Sequence, residues 1–234
     1  MPPKPDSPNP TASATGRRAL DRPTMIAAAL RLLDEVGLEG LTLRRLATAL
    51  SVQAPAIYWH FKNKQDLLDE MATTVLRDGA RQLLPAPGMK WNKWAMVYGR
   101  GFRRLLLARR DGARMVSGTR LTDASLYAQM EQSLRVFVDA GFSPYQSVLA
   151  ASTIYSYVVG FVIEEQAVYP EPGERDAFYD LQIRAQRVDA EKHPLALRAG
   201  KHLFTRFDRR FDDGLRLIID GLAARRPTGA SKNG

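Results

Sequence analysis

The sequence predicts an all-α protein, with a small three-helix unit near its N-terminal end and a larger helical core behind it. Three observations lead there. Apolar residues recur at intervals of three and four through almost every segment after Asp21, the repeat of a helix buried along one stripe. These segments are bounded by Ser, Thr, Asn or Asp at one end and by Gly or Pro at the other, residues that satisfy or break a helix terminus. No stretch needs the two-residue alternation of a half-buried strand, and no internal repeat is evident.

Residues 1–20 are rich in Pro, Ser and Thr and are expected to form a disordered basic arm, because they cannot bury enough apolar surface to offset the entropy of ordering. Asp21 or Thr24 can cap a first helix with Ile26, Ala29, Leu30 and Leu33 on one face, stopped by Gly37. Thr42 can cap a short second helix that buries Leu43, Leu46, Ala47 and Leu50. Ser51, Val52 and Gln53 leave room only for a tight reversal. Pro55 then sits near the first position of a third helix, Ala54 to His60, where its missing N–H costs nothing. Two short helices joined by about three residues make a helix-turn-helix.

Asn63 can cap a longer helix carrying Leu67, Leu68, Met71, Val75 and Leu76, which the LPAPG stretch at 84–88 interrupts. Trp91, Trp94, Ala95, Tyr98, Phe102, Leu105 and Leu106 then repeat at helical spacing. DGARMVSGTRLT should be a short turn of helix and a loop. Two helices follow: Asp123 to Ala140, closed by Gly141, and Pro144 to about Val168, opened by Ser143 as cap. YPEPGERDA reads as a loop. A last helical region from about Leu195 to Ala224 carries a stripe of Phe204, Phe207, Phe211, Leu215, Ile218, Ile219 and Leu222. The expected units are 21–70 for the helix-turn-helix domain, 71–226 for the core and 227–234 for a disordered tail.

Composition excludes several classes. The 234 residues include no cysteine, so there is no disulfide framework, Cys nucleophile or thiolate metal site. No uninterrupted apolar run approaches the ~18 residues of a membrane span, and the N-terminus lacks the apolar centre of a secretory signal. A cytoplasmic protein without a membrane partner is expected. GxSxG, P-loop, HExxH and GxGxxG motifs are absent. His60, His193 and His202 have no metal-ligand spacing, and adjacent Glu164 and Glu165 diverge around a helix. No catalytic residue, metal or cofactor is therefore expected, and the protein is read as not an enzyme.

The stretch from Leu41 to Leu68 resembles the DNA-binding region of the TetR family of bacterial transcriptional regulators. The family's helix-turn-helix ends in an aromatic pair followed by a lysine, here AIYWHFKNK with Tyr58, Trp59 and Lys64. RRDGARMVSGTR, VDAGFS, VVGFVIEEQ and GLRLIIDGLAARR resemble successive parts of the regulatory core in its tetracycline-repressor-like branch. The likeness runs from about Leu20 to Leu222, with one residue inserted between Arg120 and Tyr127. It implies a ligand-binding and dimerisation core, a homodimer paired through helices near 144–168 and 200–224, a palindromic double-stranded DNA operator and a small-molecule effector that releases it. A constitutive DNA-binding regulator without a ligand, an activator and a helical enzyme are the alternative readings.

By that resemblance, Arg44, Tyr58 and Lys64 lie near the DNA backbone or base edges, and Trp59 and His60 end the recognition helix. Thr42 can offer a hydroxyl and a backbone N–H to a phosphate. At the base-reading end, around Pro55, the glutamine and threonine of the tetracycline-repressor branch are Ala54 and Ala56. Alanine can touch a thymine methyl but makes no bidentate hydrogen bond, so the operator should differ. A packed corner is the structural alternative for the YWHF segment. Arg17 and Arg18 could enter the minor groove or belong to a solvated tail.

The core departs further. The branch's magnesium-binding histidine matches Val116, which cannot ligate a metal. Other ligand-binding residues match Ala80, Tyr98 and Ser156, and a binding glutamine falls on Ser133 beside Gln132. Phe102, Thr119, Arg120 and Glu164 are retained. The resemblance thus implies a pocket kept in place but turned apolar and aromatic, suited to an aromatic or polycyclic molecule. Tyr98 and Phe102 could equally be ordinary core, and Thr153, Ser156, Tyr157, Gly160 and Glu164 could serve close helix packing. Arg120 could neutralise an acidic ligand or brace its loop through a carboxylate.

The net charge of +9 is unevenly placed. Residues 1–70 hold 9 basic and 8 acidic side chains, whereas residues 71–110 hold 9 basic and 1 acidic. The excess, including Arg77, Arg81, Arg100, Arg103, Arg104, Arg109 and Arg110, could face DNA phosphates, be solvated or pair with acidic core helices.

Overall fold

A computed structural model describes residues 21–171 and 173–226. The expected arm, with Arg17 and Arg18, and the expected tail lie outside these residues. Among the described residues there are eleven α-helices and no strand.

The first four helices form the N-terminal unit and its exit. Helix α1 (Arg22–Gly40) is capped by Asp21, which accepts the Thr24 N–H at 2.8 Å, and is broken at Gly37 by φ 70°, ψ 175°. Helices α2 (Leu43–Ala49) and α3 (Ala54–Tyr58) are joined by a reversal in which Ser51 takes φ 54°. The expected third helix extends to His60, but the His60 N–H bonds to the Ile57 carbonyl, three residues back. That tightened last turn ends regular α-helix at Tyr58. Helix α4 (Lys64–Ala80), capped by Asn63, passes residue 70 without a break and so belongs to both parts of the protein.

The core contains α5 (Trp91–Leu107), α6 (Gly112–Val116), α7 (Ser125–Asp139), α8 (Pro144–Val168), α9 (Leu181–Arg187), α10 (Pro194–Leu203) and α11 (Phe207–Arg225). Ser143 and Gln146 form a reciprocal capping box at the start of α8. Two features differ from the sequence expectation. The last helical region is two helices, because Arg206 adopts φ 53° and turns the chain between α10 and α11. Arg210 then donates to the Leu203 and His202 carbonyls, satisfying the end of α10. Helix α9 also emerges after the acidic loop, capped by Asp180; seven residues are too few for a stripe to stand out.

Helix α5 lies against α8 and α11, and α7 against α8. Trp91, Trp94, Phe137 and Phe142 pack edge-on or tilted at one end of this interior. Phe161, Phe207, Phe211 and Tyr157 pack at the other. By length and composition α8 is apolar enough to cross a membrane, but it carries three interior polar residues with protein partners, of which Ser147 donates to the Ser143 carbonyl. Glu165 pairs with Arg103 of α5, and Gln166 bonds the backbone at Arg109 and Ala113.

The concentrated arginines are largely paired within the chain. Arg100 meets Asp212, Arg103 meets Glu165 and Asp208, and Arg77 meets Asp123. Arg109 and Arg110 reach Asp34 and Glu171, respectively. Pairing with acidic groups is thus where most of the excess goes.

Candidate DNA-reading surface and core cavity

The helix-turn-helix presents one face outward because Ile57 and Phe61, both fully buried, anchor the other. Pro55, Tyr58 and Trp59 are exposed on α3 and its end, Trp59 to 88%. Ala54, Ala56 and His60 are partly covered, and Arg44 is exposed on α2. Thr42 caps α2 by accepting the Arg45 N–H at 3.1 Å, leaving its hydroxyl at an exposed helix start. Arg22 steadies this face: it donates to Glu70 at 2.8 Å and to the His60 carbonyl at 2.9 Å, and lies over the Phe61 ring. Lys64 donates from Nζ to the Leu38 carbonyl at 2.5 Å, so its ammonium ties the start of α4 to the last turn of α1, just past the break at Gly37. Gln53, at the N-cap of α3, is exposed and makes no capping bond. Its amide is the one bidentate-capable group beside the two alanines, a position the motif alone did not single out.

Helix α4 carries this surface to a cavity of about 390 Å³ between α4, α5, α7 and α8. Tyr98, Phe102 and Tyr155 stack along one side, with ring centroids 5.7 and 5.5 Å apart. Leu76, Leu83, Leu121, Leu126 and Met130 close other sides, while Gln129, Ser133 and Ser152 add polar atoms to those of Trp94, Tyr98 and Tyr155. Burial pushes the Tyr98 hydroxyl up to about 12, with the neighbouring Tyr155 adding to the shift. The phenol is therefore a neutral hydrogen-bonding group at any ordinary pH.

Of the nine expected ligand residues, the structure brings Tyr98, Phe102 and Ser133 together in this wall. Val116 is buried within α6, and Thr119 donates to its carbonyl at 2.7 Å. Arg120 donates its backbone N–H to Asp69 at 3.0 Å, and the exposed residue is not part of the cavity wall. Gln132 borders a separate surface hollow beside Arg135. Ser156 is exposed on α8, and Glu164 lines a groove between α8 and α11. The side chain of Ala80 lies outside the described residues. Gln129 and Tyr155 escaped the sequence reading, since nothing local marks which stripe of α7 or α8 faces a void.

Magnesium, which the resemblance brings into question, finds no protein donor here. The cavity wall holds no His, Asp, Glu or Cys, and among the described residues no cluster of such groups could hold a metal ion. The residues do not fit a protein-ligated metal.

Surface and cavity are connected. Along α4, Asp69 accepts the Arg120 N–H, Thr73 accepts the Thr122 N–H at 3.0 Å, and Arg77 pairs with Asp123. The loop that supplies Leu121 to the cavity is thus zipped along the helix leading to the DNA-reading face.

Comparison with known proteins agrees with this architecture. Residues 25–71 match the family described as bacterial regulatory proteins, tetR family, and residues 84–226 match the tetracyclin repressor-like C-terminal domain. The chain is 42% identical over 207 residues to the Escherichia coli tetracycline repressor protein class A from transposon 1721, covering 87% of this chain and 90% of that protein. A possible TetR family transcriptional regulator from Streptomyces coelicolor A3(2) superposes with a TM-score of 0.77 at 35% identity, covering 88% of this chain and all of that one (100%). TetR (class A) in complex with 5a,6-anhydrotetracycline and magnesium gives a TM-score of 0.65 at 37% identity, covering 87% of this chain and 98% of that one. With a helix-turn-helix facing outward, a cavity in the core and both regions matched, the chain belongs to the TetR family and is a ligand-responsive, DNA-binding transcriptional repressor.

Proposed function

We propose that two copies pair through α8 and α11, bind a palindromic operator, and release it when an aromatic or polycyclic molecule enters the core cavity. The exposed apolar face of the core carries this reading. Tyr145 is 75% exposed on α8 and Leu217 75% exposed on α11. Val148 and Leu149 are also open, and a methyl group added at Gly160 or Gly221 would meet nothing within 4 Å. Such a face costs free energy in water and becomes stabilising when a second copy covers it.

Dimerisation gives the DNA-reading surface its meaning. Two α3 helices related by a twofold axis can enter successive major grooves when held about 34–36 Å apart. Thr42, Arg44 and Lys64 would position each domain on the backbone, while Pro55, Tyr58, Trp59, His60 and the Ala54 and Ala56 methyls would face the bases. A ligand touching Leu76 of α4 and Leu121 of the zipped loop acts on both parts of the lever that sets that spacing. A differential affinity equivalent to about 1–3 kcal/mol suffices for such coupling. The protein would work in the cytoplasm, where the operator is, and needs no catalytic step.

Selection of bound DNA from a random pool tests the reading directly. The expected product is an inverted repeat bound by two chains, as read by sedimentation or mass photometry. Recovery of unrelated sequences, or binding by single chains, would overturn it.

A further inference from the structure

We infer that the effector is an uncharged, largely apolar ring system carrying a hydrogen-bond donor for Gln129, taken up without a metal ion. This rests on the core cavity being the effector site, as proposed above, and names the chemistry of its occupant.

The wall itself sets the limits. Among its residues there is no Lys, Arg, Asp, Glu or His. A carboxylate or ammonium entering it would give up its hydration with no countercharge, a cost that apolar contacts do not offset. A metal chelate meets the same obstacle, because no side chain there can complete its coordination. The stacked Tyr98, Phe102 and Tyr155 rings present flat apolar surface suited to another flat ring.

Polar groups in the wall differ in what they have left to offer. Trp94 Nε1 donates to the Leu83 carbonyl, Ser133 Oγ to the Gln129 carbonyl and Ser152 Oγ to the Leu149 carbonyl. Gln129 is different: its Oε1 is shut off from solvent and accepts no hydrogen bond. A buried acceptor left unpaired costs free energy, and turning the Gln129 amide from its covered position toward a ligand O–H or N–H in the cavity recovers that loss. Gln129 is therefore the group that orients the ring system, and the Tyr98 hydroxyl, neutral at ordinary pH, lies in the same wall.

The test uses three probes on the full chain: anthracenemethanol, anthracene and anthracene carboxylate, each titrated by calorimetry with and without EDTA. The alcohol should bind at least about fivefold more tightly than anthracene, the value of one recovered buried hydrogen bond. The carboxylate should bind most weakly, and EDTA should change nothing. Gln129→Leu should level alcohol and anthracene to within about twofold, while Ala151→Phe should abolish binding of both. Melting of each variant without ligand checks its fold, and Gln129→Met replaces Gln129→Leu if that variant melts early.

Tightest binding of the carboxylate, binding that EDTA abolishes, unchanged binding in Ala151→Phe, or no binding by any probe would overturn the inference. Failure here is separable from failure of the repressor reading. Release of operator by magnesium and tetracycline, lost with EDTA, would leave the repressor reading standing and sink this ligand class. Tight alcohol binding without any change in operator affinity would do the reverse.

Discussion

The carboxylate of Asp111 accepts the backbone N–H of Leu38 at 2.7 Å, joining the start of α6 to the turn that ends α1. Around it, Arg109 pairs with Asp34 and Arg114 with Glu39. The DNA-binding unit is thus held to the core by a charged clasp in addition to α4. Asp111 also holds φ 53°, a left-handed conformation that aspartate tolerates better than alanine. Asp111→Ala should lower stability by about 1–3 kcal/mol, the range for losing a hydrogen bond to a charged group that leaves its partner unpaired. Urea unfolding checks it, and an unchanged midpoint would dissociate the clasp from stability.

On α3, exposure separates the side chains proposed to face DNA from those that fold the unit. Trp59 is 88% exposed, and Tyr58 48%, so neither contributes much to the core. Trp59→Ala and Tyr58→Phe should keep the melting midpoint, with stability changes within about 0.5 kcal/mol. Operator affinity should fall, by roughly tenfold for Trp59→Ala if it makes one good contact per half-site. A melting midpoint that falls in step with affinity would return this segment to the packed-corner reading.

Salt dependence should follow free cations, not the total charge. Arg100 is bound by Asp212 through two hydrogen bonds, 2.8 and 2.6 Å, whereas Arg44 is exposed on α2. Arg44→Ala should reduce the slope of log affinity against log salt by about 2 per dimer, near 0.9 for each phosphate that is no longer neutralised. Arg100→Ala should leave the slope unchanged. Equal effects from both would place the core arginines on the DNA.

Arg103 and Glu165 form a mostly buried pair through hydrogen bonds of 2.8 and 2.6 Å, each side chain 11% exposed. Arg103 also lies over the Phe211 ring. Glu165→Ala leaves the guanidinium with the exposed Asp208 as its one carboxylate partner and should cost about 1–3 kcal/mol. The double substitution Arg103→Met with Glu165→Leu should recover most of that loss, since an apolar pair removes both desolvation costs. Chemical denaturation of the three proteins decides it.

Tyr98 and Tyr157 both have hydroxyls pushed up to about 12, chiefly by burial. The folded protein therefore keeps protons that the unfolded chain releases above about pH 10. Stability from these groups is fully present below that pH and is lost as pH rises toward 12. Tyr98→Phe should flatten the fall in melting temperature across this window. An identical pH profile would show that the phenol titrates no differently in the folded chain.

What the sequence determined by itself is local. Thr42, Asn63 and Ser143 cap helices because each carries an acceptor just before an apolar repeat, and the three residues after Leu50 permit only a reversal. Those signals sit within a few residues of one another, and they specified the all-α fold and the helix-turn-helix. A break such as Arg206 was invisible because nothing in arginine's chemistry favours positive φ. The resemblance pointed to a pocket with Tyr98, Phe102 and Ser133, but the rest of its wall was hidden. Its wall joins Leu76, Leu121, Gln129, Ala151 and Tyr155 from separate elements, and whether an apolar residue fills a core or borders a void depends on how helices meet. Tertiary structure also assigned the charge: along the chain Arg100 and Arg103 could face DNA, be solvated or pair with acidic helices, and α11 and α8 decide it by bringing Asp212 and Glu165 within hydrogen-bond distance. Helix termini are encoded by neighbours in sequence, whereas cavities and ion pairs are made by neighbours in space.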